Sequence, residues 1–195
     1  MNLNIHRIIK NTDSEGYGRR FGIWTQGCSI RCKDCENKDT WEFDIGIKWN
    51  VDDLVTIINN ETGIDGITIL GGEPLDQIIA VSELCTKVKK IGLSVILFTG
   101  YSISEEDIRL NCKINELLSN VDLLIDGPFK VDQTIGAPNL SGSRNQSVRY
   151  LSDYFMNKSY AMNNKFEIRI EPTGLVRVNG MGNVSKLKKQ LEEII

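Results

Sequence analysis

The stretch ITILGGEPLDQIIAVSELCTKVKKIG, residues 67–92, carries the pattern on which the fold reading turns. Ile67 to Leu70 is a short, β-branched run with the composition of a buried strand. It breaks at Gly71-Gly72-Glu73-Pro74, a turn sequence, after which Ile78, Ile79, Val81, Leu84, Cys85, Val88 and Ile91 recur at helical spacing. Gly92 ends that helix. Cys85 lies on the apolar stripe, where a thiol acts as a small hydrophobe rather than a ligand.

The flanking segments follow the same plan. Phe21 to Thr25 is an apolar strand. Asn50-Val-Asp-Asp53 reads as an N-cap opening a helix through about Asn59, closed by Gly63 to Gly66. Ser94 to Phe98 is a further strand ending at Thr99-Gly100-Tyr101, and Ser104-Glu-Glu-Asp107 offers a capping box for the next helix, with Cys112 near a helix end. Val121 to Ile125 is another strand and ends at Asp126-Gly-Pro-Phe129. Strands alternating with helices of this length imply right-handed crossovers and an α/β fold with a mainly parallel sheet. In such a sheet the carboxyl ends of the strands share one edge, where these folds place their sites.

The remainder is less regular. Residues 3–9 read as a strand and Asn11 to Arg20 as a loop. Within it, Gly16-Tyr-Gly18-Arg-Arg-Phe-Gly22 lacks the glycine spacing of a dinucleotide fingerprint. Lys130 to about Asn164 reads as a polar, irregular segment, Phe166–Ile170 and Leu175–Val178 as a β-hairpin, and Lys186–Ile195 as a closing amphipathic helix. At 195 residues, 41% hydrophobic and 25% charged, the chain is expected to be a single domain, residues 1–195. A net charge of −3 gives no case for a nucleic-acid or membrane surface, and the absence of a leader-like or membrane-length run points to the cytoplasm. His6, the one histidine, leaves no basis for serine–histidine or multi-histidine metal chemistry and reads as a surface or edge-strand residue.

The chemistry lies between Gly27 and Trp41, where Cys28, Cys32 and Cys35 stand as C-x3-C-x2-C. Three thiolates from one short loop can converge on one inorganic centre. A structural zinc site prefers four ligands in two separated pairs, and no second pair exists here. An iron–sulfur cube takes four ligands, so three cysteines would leave one iron open to a small chelating molecule. Glycines at 71 and 72 let backbone approach a ligand, and Glu73 adds a carboxylate able to accept from an ammonium group.

This combination resembles the radical S-adenosylmethionine superfamily. Phe21-Gly-Ile-Trp-Thr-Gln-Gly-Cys28, Cys35-Glu-Asn-Lys-Asp-Thr-Trp41, Thr99-Gly-Tyr101, Asp126-Gly-Pro-Phe129 and Gly142-Ser-Arg-Asn-Gln146 are similar to the activating proteins of anaerobic ribonucleoside-triphosphate reductase. The resemblance implies a trimmed, open (β/α)6-type partial barrel with mainly parallel strands. It also implies a 4Fe-4S cluster on Cys28, Cys32 and Cys35, with S-adenosylmethionine on the open iron and against Asn37, Gly71, Gly72, Glu73, Pro74, Thr99 and Asp126. Lys130, Arg144 and Asn145 are candidates for substrate contacts. The reaction so implied is reductive cleavage to a 5′-deoxyadenosyl radical that takes hydrogen from a glycine of a partner enzyme, with flavodoxin or ferredoxin as reductant. A radical enzyme acting on a small molecule or peptide, such as one like 7-carboxy-7-deazaguanine synthase, is the alternative.

Overall fold

The computed structural model describes residues 1–156, 166–170, 173–174 and 176–180. Strands β1 (Asn2–Thr12), β2 (Arg20–Thr25), β3 (Ile47–Asn50), β4 (Gly66–Gly71), β5 (Ser94–Thr99), β6 (Leu123–Asp126) and β7 (Ser147–Tyr150) form one open sheet in the order β3-β1-β2-β4-β5-β6-β7. β2, β4, β5 and β6 are mutually parallel, while β1, β3 and β7 pair antiparallel with their neighbours. Two further strands, β8 (Phe166–Ile170) and β9 (Val176–Gly180), form the expected antiparallel hairpin.

Helices α1 (Val51–Asn60), α2 (Ile78–Lys90), α3 (Glu105–Leu110) and α4 (Cys112–Leu118) fill the connections. Their boundaries follow local chemistry. Asn50 caps α1 by accepting from the Asp52 N–H at 2.8 Å. Ser104 and Asp107 form the reciprocal capping box of α3. Beyond α2, Gly92 takes φ +83°, the left-handed conformation that lets the last carbonyls find donors.

Successive strand residues face opposite sides, so β5 and β6 feed two cores. Val95 and Leu97 join Phe21, Ile23, Ile67, Ile69 and Leu124 under α1, α2 and α4. Ile96 points the other way, with Leu123, Ile125, Tyr17, Leu140 and Phe155. On that second face Arg20 is fully buried beneath the Phe155 ring, donating to Thr68 Oγ1, Ser94 Oγ and O, and Ile67 O. Hydrogen bonding of this density is what lets a guanidinium be buried.

Two strands were not legible in sequence. β3 lies between the cysteine loop and α1, where no element was expected, and β7 interrupts the Lys130–Asn164 stretch expected to be irregular. Both are four-residue edge strands, mostly exposed or half-buried, that send one side chain each, Trp49 and Val148, onto a core, too few for a readable period. β1 also extends past its expected end to Thr12, and His6 lies on it one strand in from the β3 edge. The expected closing helix Lys186–Ile195, Leu175 and residues 157–164 of the polar stretch lie outside the described residues.

Candidate functional site

Parallel register brings the ends of β2, β4, β5 and β6 to one edge. Thr25 pairs with Gly71, and Thr99 with Asp126. Each of the four loops leaving that edge is hydrogen-bonded to the next. Gly72 N–H donates to Thr25 O at 2.9 Å and Glu73 N–H to Gly27 O at 2.8 Å, seating the glycine-rich turn against the start of the cysteine loop. Glu73 is 1% exposed, and its carboxylate then reaches the third loop. Oε1 accepts from Leu75 N–H and Thr99 Oγ1, and Oε2 accepts from Gly100 N–H at 2.8 Å. From the fourth loop, Gly127 N–H donates to Thr99 O and Tyr101 O.

Close approach explains why glycine stands at 72. A Cβ there would sit 2.2 Å from Gly27 O, so any side chain would push the turn off the cysteine loop. Burial raises the Glu73 carboxyl to about 7 in spite of its three donors. A carboxylate offers about four acceptor positions, so one is left for a further donor.

The cysteine loop curls inward through Arg31, whose φ of +50° is uncommon outside glycine. That bend turns the N–H groups of Ile30 and Arg31 toward the Cys28 sulfur. Asn37 N–H donates to Cys35 Sγ at 3.3 Å. Burial pushes the Cys28 and Cys35 thiols up, these N–H groups oppose the shift, and the Cys28–Cys35 and Cys32–Cys35 pairs are close enough for their charges to act on one another. All three are free thiols, Cys28 buried and the other two half-buried. Among the described residues no trio of Cys, His, Asp or Glu side chains is gathered closely enough for one metal ion. A cube fits this donor set better than a single tetrahedral ion, because each thiolate ligates a different corner. The other cysteines are elsewhere: Cys85 in the α2 core, its thiol pushed by burial up to about 12, and Cys112 exposed at the start of α4.

Asp126 ends β6 with Oδ2 accepting from Ile103 N–H and Oδ1 3.2 Å from Arg149 Nε, so its carboxylate orders the loop after β5. Asn145 donates to Pro128 O at 2.7 Å and thereby packs on the fourth loop, whereas the Lys130 and Arg144 side chains are exposed. Several contributors to the site went unread in sequence. Asp76 holds Ser29, Tyr101 OH meets Ser29 Oγ at 2.9 Å, and Gln26 carries His6 on its side-chain oxygen. His6 also lies 3.1 Å from Asp39, so it braces the cysteine segment instead of idling at an edge. Only tertiary pairing reveals these contacts, since the partners are far apart in sequence.

Residues 14–149, more than half of the chain, match the family described as a 4Fe-4S single cluster domain. The anaerobic ribonucleoside-triphosphate reductase-activating protein of Salmonella typhi is 30% identical over 158 residues, 76% of this chain and 99% of that protein. The chain belongs to this family of radical S-adenosylmethionine activating proteins. The Vibrio cholerae protein of the same name is 29% identical over 154 residues, 75% of this chain and 97% of its own. The pyruvate formate-lyase-activating enzyme of Staphylococcus epidermidis is 29% identical over 128 residues, 63% of this chain, and the match spans about half (51%) of that enzyme's length. No described helix is long and apolar enough to cross a membrane.

Proposed function

We propose that this chain, as a single domain over residues 1–195, activates a glycyl radical enzyme of the anaerobic ribonucleoside-triphosphate reductase kind. The observation that carries the reading is the seam between the two motif loops, where Glu73 N–H meets Gly27 O beside Cys28. It puts a three-cysteine loop, one ligand short of the set a four-iron cube takes, next to a turn with a spare acceptor.

Cys28, Cys32 and Cys35 would hold a 4Fe-4S cluster, and S-adenosylmethionine would occupy the remaining iron. When bound, they would supply reductive cleavage: one electron, delivered to the cluster by an external reductant, would break the sulfonium carbon–sulfur bond to give methionine and a 5′-deoxyadenosyl radical able to take hydrogen from a glycine of the partner. The protein's own work is positioning. Gly71, Gly72 and Pro74 bring the turn against the cysteine loop, and Glu73 presents its remaining acceptor position to the ligand's ammonium group. Thr99 fixes Glu73 by donating to it, and Asn37 steadies Cys35. Asp126 keeps the third and fourth loops in register, while Asn145, Lys130 and Arg144 line the approach for the partner's loop. We read the open sheet as a trimmed (β/α)6-type partial barrel whose unclosed side admits a protein segment. A cytoplasmic setting, with reduced flavodoxin or ferredoxin as electron donor, suits this chemistry.

The test is anaerobic mixing of the iron-loaded, reduced protein with S-adenosylmethionine and the host's glycyl radical enzymes. A glycyl doublet in electron paramagnetic resonance (EPR) is expected from one partner. No doublet with any of them, or a modified deazapurine product, would transfer the chain to small-molecule chemistry.

A further inference from the structure

On the face of the sheet turned away from α1, α2 and α4, Arg20, Gly22 and Trp24 of β2 point together, since Phe21 and Ile23 belong to the opposite core. Gly22 has no side chain and the Trp24 ring lies across it, so that a Cβ there would sit 2.7 Å from Cζ3. Arg7, paired with Trp24 between β1 and β2, lays its guanidinium over the indole with Cζ 4.1 Å from the ring centre. The stack lies directly below the glycine-rich turn, because a Cβ on Gly71 would stand 2.7 Å from Trp24 Cα.

Among the described residues Arg7 makes no hydrogen bond and no ion pair, and of its nitrogens only Nε is enclosed. The two terminal nitrogens are open. Both carboxylates near enough to act on it are engaged elsewhere: Asp39 lies 3.1 Å from His6 Nε2, and Glu15 accepts from Asn179 Nδ2 at 3.0 Å. Burial raises the Glu15 carboxyl to about 7, so near neutrality it offsets the Arg7 charge only in part. A half-buried cation without a hydrogen-bonded counter-ion is costly, and a bound anion would relieve it.

We propose that Arg7 anchors an acidic side chain of the polypeptide segment that enters by the open face, and so helps to select the partner enzyme. The inference rests on the activation reading above. A guanidinium offers two parallel donors to a carboxylate, and the indole beneath fixes the plane of that fork. Asp39, close enough for its charge to be felt, disfavours a doubly charged phosphate and suits a single carboxylate. Position argues for a segment rather than a free ion, since a chain reaching the turn at Gly71 from this face must pass the Arg7–Trp24 stack. Arg7 touches no reacting atom and acts as a specificity-determining residue.

The full-length chain, loaded anaerobically, is titrated with N-acetylaspartate N-methylamide, with the asparagine counterpart and with acetate, and the nitrogen-15 resonance of Arg7 Nε is followed. We expect a saturable shift from the aspartate probe and roughly tenfold weaker binding of the other two. Equal binding of the asparagine probe, or no shift from any probe, overturns the inference. Acetate binding as tightly as the aspartate probe assigns the site to free carboxylates and also overturns it. S-adenosylmethionine is expected to leave the response in place; if it alone moves the resonance and blocks the probe, its own carboxylate is the occupant and the inference falls. In the glycyl radical assay, Arg7→Met, which keeps an apolar stem on Trp24, should raise the half-saturating partner concentration roughly tenfold with an unchanged maximum. An unchanged half-saturation overturns this inference alone. A doublet from no host enzyme overturns the activation reading, while the probe titration, which needs no radical, still decides the carboxylate site.

Discussion

Ser29 is held by both oxygens of Asp76: its N–H donates to Oδ2 at 2.7 Å and its hydroxyl to Oδ1 at 2.8 Å. One carboxylate from the turn after β4 therefore fixes the residue that follows the first cysteine. Hydrogen bonds to a charged acceptor contribute about 1.5–3 kcal/mol when sheltered. Because Ser29 is exposed, the lower end applies here.

Asp76→Ala should loosen the cysteine loop without unfolding the sheet. We expect a loss of about 1–2 kcal/mol in stability and faster release of iron on dilution into chelator. S-adenosylmethionine affinity, followed by its effect on the cluster's EPR spectrum, should fall roughly tenfold, equivalent to about 1.4 kcal/mol. Iron release and affinity matching the wild type would show that the clamp has no bearing on the site.

The five cysteines should separate cleanly into two groups. Alanine at Cys28, Cys32 or Cys35 should abolish a stable cluster and the glycyl radical. Alanine at Cys85 should leave both intact and cost about 1 kcal/mol for the small cavity in the α2 core, and Cys112→Ser should be silent. Iron content and chemical denaturation measure these effects. Full iron loading in any one of the first three variants would remove that residue from the ligand set.

Gly72→Ala tests the seam. Its Cβ would meet Gly27 O at 2.2 Å, both atoms being attached to backbone that is hydrogen-bonded elsewhere. The expected cost is about 3 kcal/mol, with loss of S-adenosylmethionine binding. Gly63→Ala is the control: nothing lies within 4 Å, so only the strain of φ +75° remains, about 1 kcal/mol. Equal melting temperatures for the two variants would contradict the packing described.

Glu15 gives the chain a pH dependence remote from the cysteines. Burial raises its carboxyl to about 7 from 4.5, although Asn179 Nδ2 donates to Oε1 at 3.0 Å. The folded state therefore keeps a proton that the unfolded state has already released, and stability falls as pH rises from about 4.5 to about 7. At 1.36 kcal/mol per pKa unit the full effect is about 3 kcal/mol above pH 7. Glu15→Gln should match wild type near pH 4 and exceed it by about that amount at pH 8, as read by urea denaturation. Stability curves that run parallel across this range would refute the assignment.

Much of this was legible because short-range physics writes it locally. The run Ile67–Leu70, the break at Gly71-Gly72 and the stripe from Ile78 to Val88 each declare their element through period and turn chemistry, and three cysteines within eight positions declare a ligand set. The edge strands β3 and β7 were not legible, since four residues paired on one side send too few side chains inward to show a period. Glu73 was expected to face a ligand. It was found also to be a buried bridge between two strand ends, and Asp126 turned out to be engaged with Ile103 and Arg149.

Sequence alone thus determined the α/β plan, the cysteine loop and the glycine-rich turn, because each depends on residues a few positions apart. Tertiary structure decided how these parts meet: that Asp76 grips Ser29, that Gly72 must lack a side chain, and that Glu73 joins the ends of β4 and β5. Those relations arise only when parallel pairing brings strand ends from residues 25, 71, 99 and 126 to a common edge, and no local pattern encodes that distance.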